Sequence, residues 1–340
     1  MTSNHPDSKR RAHGALIRLV LSASLLGMPL AAPAIAASSS VASVVTFTKA
    51  ATAYRAGNFD QAVAGFRVLA NQGDRNAQYL LALIYRDGRG APQDAELARF
   101  WLARAAEGGH IPAMASWGST VLNTSSSQPL RKRAIGMLET AARAGDAGAQ
   151  LALARQFDTL EDDPERQQQA VHWYQMAAQN GLVPAQLRLA VMAIRGIGMP
   201  VDMQEGIRWL RRAARRGDAT SQRILGLLHE RGDGVPANLR QARDWYQRAA
   251  AQGEPWAQYQ LARLYQDGRG VKADPVQALL WLTLAERHAS VERGPWRIVD
   301  VTNKLRQSMS PEQIRQAERL ARQWRLTTER TDNQTALSLF

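Results

Sequence analysis

The chain has 340 residues, of which 45% are hydrophobic and 6% aromatic; it contains no cysteine and carries a formal net charge of +13. Without cysteine there can be no disulfide, thiol nucleophile, zinc–thiolate site or lipid-modified cysteine. The basic balance admits polyanionic partners, but alone it specifies only solubility and non-specific association.

Residues 1–36 read as a leader. Lys9, Arg10, Arg11 and Arg18 form a basic region, an apolar stretch runs from Leu19 to about Leu30, and Ala34-Ile35-Ala36 fits a small-residue cleavage site. This order predicts a secretory signal peptide, cut after about Ala36, and a periplasmic or secreted mature protein. The apolar stretch is short for a membrane span and Pro29 and Pro33 interrupt it, so no integral span is expected after cleavage; an uncleaved anchor is the alternative. Against Asp7, the four leader cations hold +3 of the net charge, which leaves about +10 on the mature chain. Export argues against nucleic acid as a partner and leaves acidic protein surfaces or peptides and envelope polyanions.

Residues 37–45, rich in Ser and Val, read as a linker. The segment 46–76 places Tyr54, Gly57, Phe59, Ala62 and Phe66 as a tetratricopeptide unit does, and it is expected to form a helix pair that caps a repeat array.

From residue 77 to about 290 the sequence repeats. Glycine falls at Gly73, Gly109, Gly145, Gly181, Gly217 and Gly253, each 36 residues apart. Ala105-Ala106, Ala141-Ala142, Ala177-Ala178, Ala213-Ala214 and Ala249-Ala250 keep the step, as do Trp101, Trp173, Trp209, Trp245 and Trp281, with Met137 the one break. A period of this size marks stacked supersecondary units that bury their apolar faces only against neighbours. Six repeats begin at about Ala77, Ala113, Ala149, Ala185, Ser221 and Ala257.

In the first repeat, Ala77, Leu81, Ile84 and Tyr85 share one face of a short helix A. Gly88 and Gly90 then end it, and Pro92 suits the entry to helix B. Helix B is expected to bury Leu97, Trp101, Leu102 and Ala105. Small residues at Ala82, Gly118, Ala154, Ala190, Gly226 and Ala262 would let the two helices approach closely. The Gly-Arg-Gly turns could suggest a phosphate cradle. Such a cradle occurs once per domain, comes after a strand and continues into Gly-Lys-Ser or Gly-Lys-Thr; these turns recur, come after helices and do not continue so.

Repeats two and three replace the glycine turn by "NTSSSQP", Asn123 to Pro129, and "DTLEDDPE", Asp158 to Glu165, at unchanged spacing. The helices should persist while the turns change. The acids Asp158, Glu161, Asp162, Asp163 and Glu165 lack the glycine and ligand spacing of a calcium loop and suit a helix N-terminus instead. After Glu286 the period ends. A helix from about Trp296 to Gln307 is expected, then a second capped by Ser310, Pro311 and Gln313, with Ile314, Ala317, Leu320, Ala321 and Trp324 as its apolar stripe. Residues 291–326 should close the open end of the stack, and residues 327–340 read as a disordered tail.

The pattern Ala-x3-Leu-[Gly/Ala]-x2-Tyr-x2-Gly-x-Gly, then Ala-x2-Trp and Ala-Ala-x2-Gly, resembles the Sel1-like repeat family, a branch of the tetratricopeptide superfamily. The sixth repeat supplies Ala257, Leu261, Ala262, Tyr265, Gly268, Gly270, Ala278, Trp281 and Ala285. The resemblance spans about residues 47–290. It implies an all-α, right-handed α-solenoid of stacked antiparallel helix pairs that works as an adaptor or scaffold, often in bacterial envelopes. Narrower jobs in that setting are regulation of an envelope sensor kinase or scaffolding of polysaccharide export.

No catalytic, cofactor-binding or metal-binding residue is assigned. The six histidines are scattered, and His229-Glu230 lacks the second histidine of a zincin helix. A Gly-x-Ser-x-Gly elbow is missing too. A cell-wall hydrolase is therefore the outlying reading. The tryptophan column reads as core packing, and His229 stands in the column of Tyr85 and Tyr265. Gln78, Gln150, Gln186, Gln222 and Gln258 recur in register and read as repeat structure. In tetratricopeptide-like arrays helix A lines the concave face. Its positions between the packing columns, Tyr79, Arg155, Arg188, Arg223, Tyr259, Gln260 and Arg263, are the predicted partner-binding residues. Arginine forks suit carboxylates and tyrosines add rigid contact area.

Overall fold

The computed structural model describes residues 46–158, 163–288 and 298–330, with side chains as far as Trp324. The expected leader and linker, residues 159–162 with Glu161 and Asp162 of the acidic turn, the segment 289–297 and residues 331–340 lie outside the described residues. All regular structure described is α-helical, in sixteen helices. They are α1 (Phe47–Arg55), α2 (Phe59–Asn71), α3 (Arg75–Asp87), α4 (Ala95–Glu107), α5 (Ile111–Thr124), α6 (Gln128–Arg143), α7 (Ala147–Phe157) and α8 (Pro164–Gln179). The series continues with α9 (Val183–Arg195), α10 (Met203–Arg215), α11 (Ala219–Arg231), α12 (Leu239–Ala251), α13 (Pro255–Asp267), α14 (Pro275–His288), α15 (Ile298–Gln307) and α16 (Pro311–Arg330). The odd-numbered helices from α3 to α13 are helix A of the six repeats, and the even-numbered helices from α4 to α14 are helix B. Within each unit the helices that pack together are pair mates and sequence neighbours, which is the contact pattern of an α-solenoid. The chain divides into two compact units, with the boundary between Ala152 and Leu153, inside α7.

The repeat columns explain the helices. Asp74, His110, Asp146, Asp218 and Glu254, spaced in the 36-residue register, each accept a backbone N–H from the first turn of their helix A. Asp94, Asp202, Asn238 and Asp274 do the same for helix B. Each such cap satisfies a donor the helix cannot, and losing one costs about 1 kcal/mol. At the other end of helix B, the paired alanines are 0–2% exposed. Their small side chains let the next helix A lie close enough for a tie: Gln78, Gln150, Gln186, Gln222 and Gln258 donate Nε2–H to the carbonyls of Ala70, Ala142, Ala178, Ala214 and Ala250 at 3.0–3.1 Å. The glutamine column is thus structural, as its register implied.

The glycine turns have a packing cause. Gly270 has φ +70°, and a Cβ there would lie 2.7 Å from the Leu239 backbone carbonyl carbon at the start of the preceding helix B. Gly198 stands likewise against the Gln167 carbonyl oxygen, 2.5 Å from where its Cβ would be. The second glycine is the point where one repeat rests on the last, so no room is held for a phosphate.

Repeats two and three solve the same turn differently. Helix B begins three residues earlier there, so α6 and α8 have 16 residues where α4, α10 and α12 have 13. Without the left-handed glycine, the end of helix A is held from outside. Arg131 donates to the Leu122 carbonyl at 2.7 Å, and Arg166 to the Gln156 carbonyl at 3.1 Å.

Two expectations need correction. Helix α4 does not bury Leu97, which is 38% exposed, and Trp101 and Leu102 are only half-buried. The tryptophan column is likewise graded: Trp281 and Trp209 are buried, whereas Trp101, Trp173 and Trp245 keep part of their surface. The burial of helix B depends on what lies beside it. Arg212 and Arg248 lie over the rings of Trp209 and Trp245, 4.5 and 4.9 Å from their centroids, and cover part of what remains.

At the C-terminal end, α15 and α16 pack on α14. Every residue from Ala278 to Ala285 is consequently buried, and Trp324 meets Trp281 edge-on with centroids 6.2 Å apart. Ser310 and Gln313 form the expected reciprocal cap. Helix α16 continues to Arg330, so the segment expected to be disordered begins in helix.

Candidate protein-interaction surface

The A helices of the second compact unit present the columns that packing does not consume. On α9 these are Leu187, Arg188 and Val191; on α11, Arg223, Ile224 and Leu227; on α13, Trp256, Tyr259, Gln260 and Arg263. All are half-buried or exposed. None is acidic, so the surface mixes guanidinium groups with apolar and aromatic area.

The seven residues expected to bind a partner divide into three groups. Tyr79, in the first compact unit, is 3% exposed and lies against the His110 ring with centroids 4.4 Å apart. It belongs to the interior, and burial raises its phenol above the usual range. The structure thus removes Tyr79 from the exposed set. Arg188 and Arg223 are on the surface but engaged. Arg188 grips Asp158 with a fork, Nε to Oδ2 at 2.6 Å and Nη2 to Oδ1 at 2.5 Å. Asp158 also accepts the Tyr174 hydroxyl at 2.9 Å. Arg223 Nε lies 3.4 Å from Glu254 Oε1, and Glu254 also caps α13. Burial pushes the Glu254 carboxyl up, opposed by the Ala257 N–H and by Arg223. Arg155, Tyr259, Gln260 and Arg263 form the third group. Arg155 is exposed and makes no ion pair among the described residues. Among the described residues Arg263 bonds the Gln260 amide oxygen, at 3.3 Å, and pairs with no carboxylate. Tyr259 is half-buried.

Sequence reasoning missed Trp256. It is 42% exposed at the second position of α13, edge-on to Tyr259 with centroids 6.0 Å apart and an interplanar angle of 87°. A signal was present: this tryptophan lies outside the helix B column, where Asn76, Pro112, Gly148, Pro184 and Thr220 hold the equivalent positions. Among the described residues, no three His, Asp or Glu side chains gather as a metal site requires, and no helix is long and apolar enough to cross a membrane.

A sequence profile of the Sel1 repeat matches residues 75–110, 147–182, 183–218, 219–254 and 257–289. The chain belongs to the Sel1 repeat family. The second repeat falls in the gap between matches; it keeps the pair α5–α6 while lacking the glycine turn. Among solved structures, this Sel1-repeat protein is similar to c5321, a protective antigen present in uropathogenic Escherichia coli strains and displaying an SLR fold. The two are 28% identical with a TM-score of 0.67, over 78% of this chain and 56% of that one. The chain thus spans little more than half the length of c5321. It also shares its fold with a Sel1 repeat protein from Oxalobacter formigenes, at 24% identity and a TM-score of 0.59, over 72% of this chain and 100% of that one. Among proteins of curated function, none matches the chain. Sel1 repeats are a scaffold fold that generally mediates protein–protein interactions.

Proposed function

We propose that this Sel1-repeat protein is an exported, non-catalytic adaptor that binds other proteins through the A-helix face of its second compact unit. The observation that carries this reading is the composition of that face. Helices α9, α11 and α13 must bury Ala185, Leu189, Leu225, Ala257 and Leu261 to stack. The positions between them need only be soluble, yet they hold leucine, valine, isoleucine, tryptophan, tyrosine and arginine. Such residues supply contact area and carboxylate recognition at low conformational cost. The basic and apolar leader with its small-residue end supports a periplasmic or secreted location.

A photo-crosslinking amino acid at Ile224 or Tyr259, introduced into living cells, tests the reading. Discrete protein adducts are expected from both positions and not from Gln175, which is exposed on α8. Adducts from Gln175 alone, or from none of the three, would refute it.

A further inference from the structure

The A-helix face already holds two carboxylates, both from the chain itself. Asp158 sits in the fork of Arg188, and Glu254 faces Arg223 at 3.4 Å. The chemistry that fits this face is thereby on display, and two of its three arginines are no longer available for it.

What is left is concentrated on α13. Trp256, Tyr259, Gln260 and Arg263 stand at i, i+3, i+4 and i+7 and form one stripe. The stripe opens with an edge-on aromatic pair, Trp256 exposed and Tyr259 half-buried, and closes with a guanidinium that has no carboxylate partner among the described residues. Seven residues of helix span about 10 Å. An extended chain covers that distance in about three residues.

We propose that α13 docks a short acidic segment of another protein in which a large apolar side chain and a carboxylate lie three residues apart. The apolar group packs against Trp256 and Tyr259, and the carboxylate pairs with Arg263. This rests on the adaptor reading for its choice of face and adds the chemistry of the partner.

The test uses the full mature chain, fluorescently labelled, on an array of Gly/Ser peptides. Each peptide carries one Phe and one Glu at separations of one to six residues. Binding should peak at a separation of three and fall about fivefold or more when Glu is replaced by Gln. Trp256→Ala and Arg263→Gln should each weaken it by a similar factor at unchanged melting temperature, and Arg215→Gln on α10 should not. A signal independent of separation, or an Arg263→Gln variant that binds like the wild type, would overturn the proposal. So would binding to anionic phospholipid vesicles, or self-association in sedimentation, that the same two substitutions abolish. Adducts from Tyr259 in cells with a flat array would leave the adaptor reading standing and sink the motif. A clear motif without adducts in cells would do the reverse.

Discussion

The Tyr246 hydroxyl donates a hydrogen bond to Glu230 Oε2 at 2.9 Å, and two repeats earlier Tyr174 donates to Asp158 Oδ2 at the same distance. The other four repeats place Leu102, Leu138, Leu210 and Leu282 where these tyrosines stand, and Arg86, Leu122, Ile194 and Gln266 where the acids stand. Acid and phenol thus arrive together: the buried phenol needs an acceptor, and the acid that supplies it is also held by an arginine, Arg188 at Asp158 and Arg269 at Glu230. Burial and the neighbouring carboxylate hold both phenols far above their usual titration range.

Substitution should expose this coupling. Tyr246→Leu alone leaves Glu230 short of a donor and should cost about 1–3 kcal/mol. Adding Glu230→Ile recreates the pair found at Leu210 and Ile194, and should recover much of that loss. Chemical denaturation of the two single variants and the double one gives the interaction energy; strict additivity would mean that the bond contributes nothing.

Trp209→Ala should destabilise far more than His172→Ala. The Trp209 ring is 5% exposed, lies beneath the Arg212 guanidinium, and donates from Nε1 to Glu205 Oε1 at 2.6 Å. Removing a buried tryptophan costs about 3–5 kcal/mol. His172 is exposed on α8, where substitutions usually change stability by about 0.5 kcal/mol or less. Thermal melts separate the two, and equal shifts would contradict the assigned helix face.

His110 makes the first compact unit sensitive to acid. Its Nδ1 accepts the Ala113 N–H at 3.2 Å as the cap of α5, which requires a neutral ring. Burial foremost, with Arg75 adding to it and Asp74 opposing, lowers its pKa from 6.5 to about 4. Between those two values the unfolded chain takes up a proton that the folded one refuses. The stability owed to the neutral cap is therefore whole above about pH 6.5 and is lost as pH falls toward about 4. His110→Asn keeps a capping side chain that does not titrate. Between pH 7 and pH 4 its melting temperature should fall less than that of the wild type; parallel curves would exclude His110 as the cause.

The arginines of the A-helix face should separate by role. Arg188→Gln breaks the fork on Asp158 and should lower the melting temperature. Arg155→Gln with Arg263→Gln should leave melting unchanged and weaken partner capture, with the wild-type interaction itself weakening as salt rises. Unchanged affinity of that double variant at low and high salt would place the binding surface elsewhere.

Export predicts a mature N-terminus near Ala37, which intact-mass spectrometry of the protein recovered from the producing cells will show. Recovery of the full-length chain from the cytoplasm alone would rule export out.

The repeat order was legible in the sequence because it rests on contacts within one repeat and with the next. Asp218, Gln222 and Gly232 each act on groups in their own repeat or the one beside it, so a residue type at a fixed step carries its structural role with it. Exposure was not legible in this way. Trp101 and Trp281 share a column, yet only Trp281 is sealed, because α15, α16 and Trp324 close over it. Tyr79 and Tyr259 share another, and only Tyr79 is driven inward, against a histidine cap found in one repeat alone. Arg188 looked available until folding brought Asp158, thirty residues away, into its fork. Periodicity states which side of a helix a residue occupies. What covers that side is decided by neighbours that are not themselves periodic, and only the folded chain brings them together.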